Sequence, residues 1–281
     1  MPDETKRDMG DEFLKWMCRH LVALTASYES YNADGSICGK GVFAFSGFVM
    51  NLHGLPFWIT AGHCLETLDS LYDPQKGKVW GMEFRDDLGT DAKHHGRFPF
   101  VYEQGDAFVL HRPELQLDFA ALPLSGITFQ AFAANGIKAV TRENWINQGK
   151  LDFQAYRLLG IPADWIIPGD SELNVPHHIA PASVLVEPLT RDEIDDPPPE
   201  GWFIGRIHPE AKIKDIAGMS GGPIFGFRKL DNGRWVYHIV AVQSRWLDQS
   251  RVIFGCSIPL FAELLYKDMI DAGFVPERET E

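Results

Sequence analysis

The chain has 281 residues, 26 of them basic and 39 acidic, and a net charge of −13. That length supports one large domain or two small ones with a core that needs no staples. The charge repels phosphate backbones and anionic lipid, which argues against nucleic-acid and membrane partners.

In chain order, "MPDETKRDMGDEF" puts charges where a signal peptide needs an apolar core, and no later apolar run approaches the ~18 residues of a membrane span. A cytoplasmic setting is expected. Phe13, Trp16, Met17 and His20 fall at helical spacing and predict a short N-terminal helix. "GKGVFAFSGFVMNL" and "PFWITA" read as strands joined through "NLHG" as a hairpin. "CLETL" reads as a helical turn, and "RFPFVYEQGDAFVLHRP" and "DFAALPL" continue the strands.

A second series follows in "FQAYRLLGIP", "PASVLVEPL", "WFIGRI", "GPIFGFRK", "RWVYHIVAVQSRW" and "RVIFGCSIP", with a turn at Asn232–Gly233. The acidic, proline-bearing segment 190–201 is expected to be an exposed loop within this series. Leu260, Leu264, Leu265 and Ile270 predict a C-terminal helix ending near Gly273. Many short apolar runs broken by turn residues make the fold class all-β, a sandwich or a barrel. Four cysteines, Cys18, Cys38, Cys64 and Cys256, form no CxxC pair, which argues against a zinc knuckle or redox motif and for free thiols in a reducing compartment.

Chemistry is concentrated in three places. Ser220 in "IAGMSGGPIFG" is flanked by Gly218, Gly221 and Gly222, so its hydroxyl and neighbouring N–H groups are free to face one point. A glycine-rich turn with a capping serine gives the same letters. A serine nucleophile needs an adjacent histidine base and a buried carboxylate to orient it. His63 ends the strand-like "FWITAGH", and Asp118 is a single carboxylate in the apolar "LQLDFAALPL", where a charge is costly without a hydrogen-bonded partner. Asp106 and Glu187 are rivals for the acid. The adjacent pairs His94–His95 and His177–His178 point to opposite faces of a strand, so neither makes a metal site alone; no metal and no cofactor are expected.

"TAGHC", "DFAAL" and "GMSGGP", in that order, resemble the His, Asp and Ser signatures of trypsin/chymotrypsin-like serine peptidases, with separations of 55 residues (63 to 118) and 102 residues (118 to 220). "SGFVMN" and "FGCSIPLFAELL" are similar to stretches of the bacterial HtrA-like branch, though the expectation is a chain without the PDZ domain of that branch. The resemblance spans about residues 20–270. It implies two six-stranded antiparallel β-barrels, about 20–125 and 126–258, within a single peptidase domain (1–281), with a short helix before them and a C-terminal helix at 259–273. It further implies that His63 is the general base, Asp118 its orienter and Ser220 the nucleophile. The N–H groups of Gly218 and Ser220 would then form an oxyanion hole for acyl transfer on a polypeptide substrate.

The resemblance places Lys214, Asp215, Ser244, Arg245, Trp246 and Phe254 around the pocket for the residue before the scissile bond, with conflicting signals for its specificity. Met219 stands where zymogens use an aspartate to order the oxyanion loop. Gly218 N–H must therefore be aimed by packing alone. The expectation is a turned or mobile Ala217–Gly218 peptide, low basal activity, and an activating protein partner that aligns the loop. Cys64 is expected to be a free thiol, Cys38 being its one candidate for a bridge. A catalytically silent peptide-binding module is the competing reading. An α/β-hydrolase esterase is disfavoured. Gly218 to Gly222 does satisfy GxSxG, but in that fold the nucleophile sits between a strand and a helix and the order is Ser, Asp, His, whereas "PIFGF" after Ser220 is strand-like and the order here is His, Asp, Ser.

Overall fold

Residues 4–275 are described in a computed structural model, apart from 90–95, 104, 106, 113–116, 146–150, 170–177, 212 and 214. Helix α1 (Glu4–Cys18) opens the chain, and its aromatic residues lie where the helical spacing put them, with Phe13 and Trp16 stacked at 5.7 Å and Met17 fully buried. His20 follows the helix and is a satisfied core imidazole, bonded to the Lys138 carbonyl and to Tyr237 Oη; burial pulls its pKa down to about 4.

Strands β1 (Ala23–Tyr31), β2 (Ile37–Phe45), β3 (Phe48–Leu52) and β4 (Leu55–Thr60) come next, followed by α2 (Gly62–Tyr72) and β5 (Gly77–Arg85). Then come β6 (Arg97–Pro99), β7 (Phe108–Arg112), β8 (Leu117–Pro123) and α3 (Gly126–Ala134). The expected β3–β4 hairpin is present, closed by His53–Gly54. These eight strands form two four-stranded sheets, ordered β2-β1-β5-β6 and β3-β4-β8-β7. Here the expectation of a six-stranded barrel is not met: among the described residues the two sheets do not close into a ring. The chain leaves one sheet at Phe45 and enters the other at Phe48, crossing at Ser46–Gly47 without ladder pairing.

The second series of strands closes. With β9 (Ala155–Gly160), β12 (Ala182–Pro188), β13 (Trp202–Ile207), β14 (Pro223–Lys229), β15 (Trp235–Leu247) and β16 (Val252–Ser257), the order is β12-β13-β16-β15-β14-β9 and back to β12. A ring of this kind leaves no unpaired strand edge. A small hairpin of β10 (Ile166–Ile167) and β11 (His178–Ile179) stands apart, and α4 (Ile258–Asp271) is the predicted C-terminal helix. The protein is thus mostly β with one closed six-stranded barrel and four helices among the described residues. Beyond the terminal pair, α2 contains the expected helical turn "CLETL", and α3 is an addition.

One apolar cluster joins the halves. It gathers Met17 of α1, Phe48, Phe57, Ile59 and Phe119 of one sheet, Leu159, Phe225 and Ile239 of the barrel, and Phe261 and Leu265 of α4. Burying a side chain of this size stabilises by roughly 1.5–3 kcal/mol, so the sheet and the barrel are held in one register by shared packing.

Candidate active site

The end of β4 leads through Ala61 into α2, which places His63 second in the helix. The first N–H groups of a helix have no partner within it, and the helix end is partly positive. Asp118, on β8, meets both needs: its Oδ1 accepts from the His63 backbone N–H at 2.8 Å, and its Oδ2 lies 2.7 Å from His63 Nδ1. One carboxylate therefore fixes both the main chain and the ring of His63. The lone acid in an apolar strand has the partner that its cost required.

Burial lowers the pKa of His63. The hydrogen bonds and charges of Asp118 and of the adjacent Cys64 sulfur outweigh it and raise the imidazole to about 10. The ring is 42% exposed and the carboxylate 17%, so the pair opens to solvent on the histidine side.

Ser220 arrives from the barrel. Gly221 N–H donates to the Gln243 carbonyl at 2.7 Å and Gln243 N–H to the Gly222 carbonyl at 3.0 Å, which pins the serine loop on β15. A Cβ on Gly221 would lie 2.2 Å from Thr60 Oγ1 and 2.3 Å from the Ser46 carbonyl, and its φ is +86°, so only glycine allows the loop to press against the end of β4, which leads into the helix that carries His63. Cys64 Sγ reaches the Ser220 carbonyl at 3.9 Å. Ser220 Oγ donates to the Ser244 carbonyl at 3.4 Å, and no hydrogen bond joins it to His63 among the described residues.

The Ala217–Gly218 peptide, expected to be turned or mobile, is held at its carbonyl. Ala163 N–H donates to the Ala217 carbonyl at 2.7 Å, and no peptide bond is cis among the described residues. In a trans peptide the next N–H points the opposite way, so Gly218 N–H is aimed away from Ala163. Met219 N–H closes a turn on the Ile216 carbonyl at 3.0 Å. The N–H groups of Gly218 and Ser220 have no acceptor among the described residues.

The residues expected to line a specificity pocket are dispersed in role. Lys214 and Asp106 lie outside the described residues, as do His94, His95 and His177. Asp215 turns back and accepts from the Ala217 N–H at 2.8 Å. Arg245 lies 5.5 Å from the ring of Phe254, which is buried in a cluster with Ile204 and Val252. Trp246 packs on the barrel's interior cluster instead. Glu187 pairs with His208 at 3.4 Å, which removes it as a rival to Asp118. No group of three metal-binding side chains occurs among the described residues. All four cysteines are free, so Cys38 and Cys64 are not bridged. No described helix is long and apolar enough to cross a membrane.

Sequence reasoning missed the helix-end grip of Asp118 and the anchors on Ser46 and Ala163. The first had a signal: "GHC" opening a helix leaves a backbone donor that a lone acid can accept.

No protein-family model matches the sequence, and no curated protein matches it. Among solved structures, one that aligns is a thermostable serine protease from an extremophilic microorganism, at 18% identity over 84% of this chain and 90% of that one, with a TM-score of 0.44. At that level of similarity the weight rests on the residues themselves.

Proposed function

We propose that the chain is a trypsin-like serine endopeptidase, related to the HtrA-like branch of the chymotrypsin-like fold, acting as one peptidase domain over 1–281 on polypeptide substrates in the cytoplasm. The observation that carries the reading is the double hold of Asp118 on His63, at 2.8 Å and 2.7 Å, beside a serine whose loop can fit there only through Gly221. In this reading Ser220 Oγ attacks the scissile carbonyl while His63 Nε2 takes its proton. The Gly218 and Ser220 N–H groups receive the charge that develops on the carbonyl oxygen. His63 then returns the proton to the leaving amine, and water, activated by the same base, hydrolyses the acyl-enzyme. Control by an activating protein partner stays part of the proposal, acting on substrate access or on the Ser220 rotamer.

One observation favours a second reading, a silent peptide-binding module: Ser220 Oγ donates to the Ser244 carbonyl instead of to His63. In free enzymes such bonds are often long and tighten only with substrate. A fluorophosphonate probe separates the two, because it labels only an activated serine. Labelling lost in Ser220→Ala is the expected result; no labelling of the folded wild-type chain leaves the binding module.

A further inference from the structure

The junction between the sheets contains a buried hydroxyl with no role in the chemistry above. Ser46 is fully buried between β2 and β3, on the half of the molecule that carries His63 and Asp118. Its Oγ donates to the Gly218 carbonyl at 3.1 Å and accepts from the Ile161 N–H at 2.9 Å. Its carbonyl accepts from Thr60 Oγ1 at 2.8 Å. A hydroxyl offers one proton and its lone pairs, and this one spends the proton on the serine loop of the opposite half.

We propose that Ser46 is a positioning residue that, with the strut Ile161–Pro162–Ala163, sets the aim of the oxyanion donors. Gly218 has φ +86° and no side chain, so the two peptides flanking it depend on hydrogen bonds for their aim, and within the loop only the following one has such a bond, from Met219 N–H to the Ile216 carbonyl at 3.0 Å. Ala163 N–H holds the preceding peptide by its carbonyl at 2.7 Å, and Ser46 Oγ holds the following one at 3.1 Å. Both holds trace to one short segment, since Ile161 N–H fixes the Ser46 hydroxyl and Ala163 N–H fixes Ala217. Pro162 between them is locked at φ −63° and has no N–H to compete. The space around the hydroxyl is tight: a Cβ on Gly160 would lie 3.1 Å from Ser46 Oγ and 2.9 Å from Met219 Cβ. Ser46 therefore reports the position of the acid–base half to the loop of the nucleophile half.

The inference rests on the acyl-transfer reading, and its test separates the two. Ser46→Ala removes the hold and leaves His63, Asp118 and Ser220 in place. Its kcat per active site should fall roughly tenfold to a hundredfold, below the ~10²–10³ of deleting an oxyanion donor outright, at little-changed KM and with the same fall in fluorophosphonate labelling rate. Asn135→Ala, which removes a buried hydrogen bond to Asp86 outside this network, controls for lost stability and should keep kcat. If Ser46→Ala does not fold, Ser46→Cys, with a weaker donor, should show the same loss of kcat at wild-type KM. A lower melting temperature with unchanged kcat in these variants makes Ser46 merely structural and overturns the proposal. A folded wild-type chain that never labels overturns both readings, whereas labelling of wild type and Ser46→Ala at equal rates overturns only this one.

Discussion

The two halves of the molecule hold their functional residues by different means. In the barrel, six strands pair around a ring, and the Ser220 loop is fixed to β15 by main-chain bonds at Gly221 and Gln243. In the preceding half, two four-stranded sheets stay open, and the His63–Asp118 pair is fixed by a side chain gripping a helix end. A closed ladder makes the position of Ser220, the proposed nucleophile, a property of the backbone. His63, the proposed base, depends on one carboxylate. The proposed catalytic arrangement requires that two separately built parts agree, and the shared apolar cluster and the glycine contact at Gly221 carry that agreement.

The largest test asks whether the halves act as one unit. Ser220→Ala in the barrel and His63→Ala on the sheet side should each remove about 10⁶-fold of kcat, and the double variant should lose little more. Additive losses would mean that the residues work independently, and steady-state kinetics on a peptide substrate decides it. Asp118→Asn comes next, at roughly 10⁴-fold, because an amide holds the wrong imidazole tautomer. Here the grip adds a structural arm: the His63 backbone N–H keeps an oxygen acceptor only if the amide presents its oxygen there, so a modest drop in melting temperature should accompany the kinetic loss.

The contact between the halves is tested by Gly221→Ala. The left-handed backbone alone costs a non-glycine residue about 1–3 kcal/mol, and the new methyl would meet Thr60 Oγ1 and the Ser46 carbonyl well inside contact distance. Thermal unfolding should show a loss at the upper end of that range or above it. A variant as stable as wild type would mean that the loop does not press on the end of β4.

The same division marks what is legible in the sequence. The barrel strands are apolar and β-branched, as in "GPIFGF" and "HIVAVQ", and the six expected segments are the six that pair. On the other side, β1 (ALTASYESY) and β5 (GKVWGMEFR) carry no clear strand signal, because serine, glutamate and lysine on half-exposed strands blur the apolar pattern that identifies a strand. Closure is a long-range property, so nothing in "FAFSGFVM" announces that Ser46–Gly47 divides two sheets. The triad candidates are legible because His63, Asp118 and Ser220 each break a local rule, a polar group in an apolar run or a cluster of glycines, and such breaks mark sites. The supporting atoms are not, since Ser46 and Ala163 act from 172 and 54 residues away through one hydroxyl and one main-chain N–H, which no local pattern encodes.

The smallest effect concerns the proton on His63, and its sign follows from the raised pKa. An imidazolium cannot accept the Ser220 proton, so kcat/KM should rise with pH along a limb displaced above the ordinary histidine value near 6.5, toward the about 10 set by Asp118 and Cys64 against burial. Because the folded value lies above the unfolded one, the stability contributed by the protonated ring is fully present below about pH 6.5. It is lost as pH rises through the folded value of about 10. Cys64→Ser keeps the volume and a hydrogen-bonding atom but replaces the sulfur beside the ring, so the acid limb should move down toward 6.5 while the maximal rate changes little. Nuclear magnetic resonance titration of the His63 ring gives the same quantity without turnover. A limb already at about 6.5 in the wild-type chain, unmoved by Cys64→Ser, would show that the carboxylate on the open half does not govern the base, and the contrast between the two halves would lose its electrostatic part.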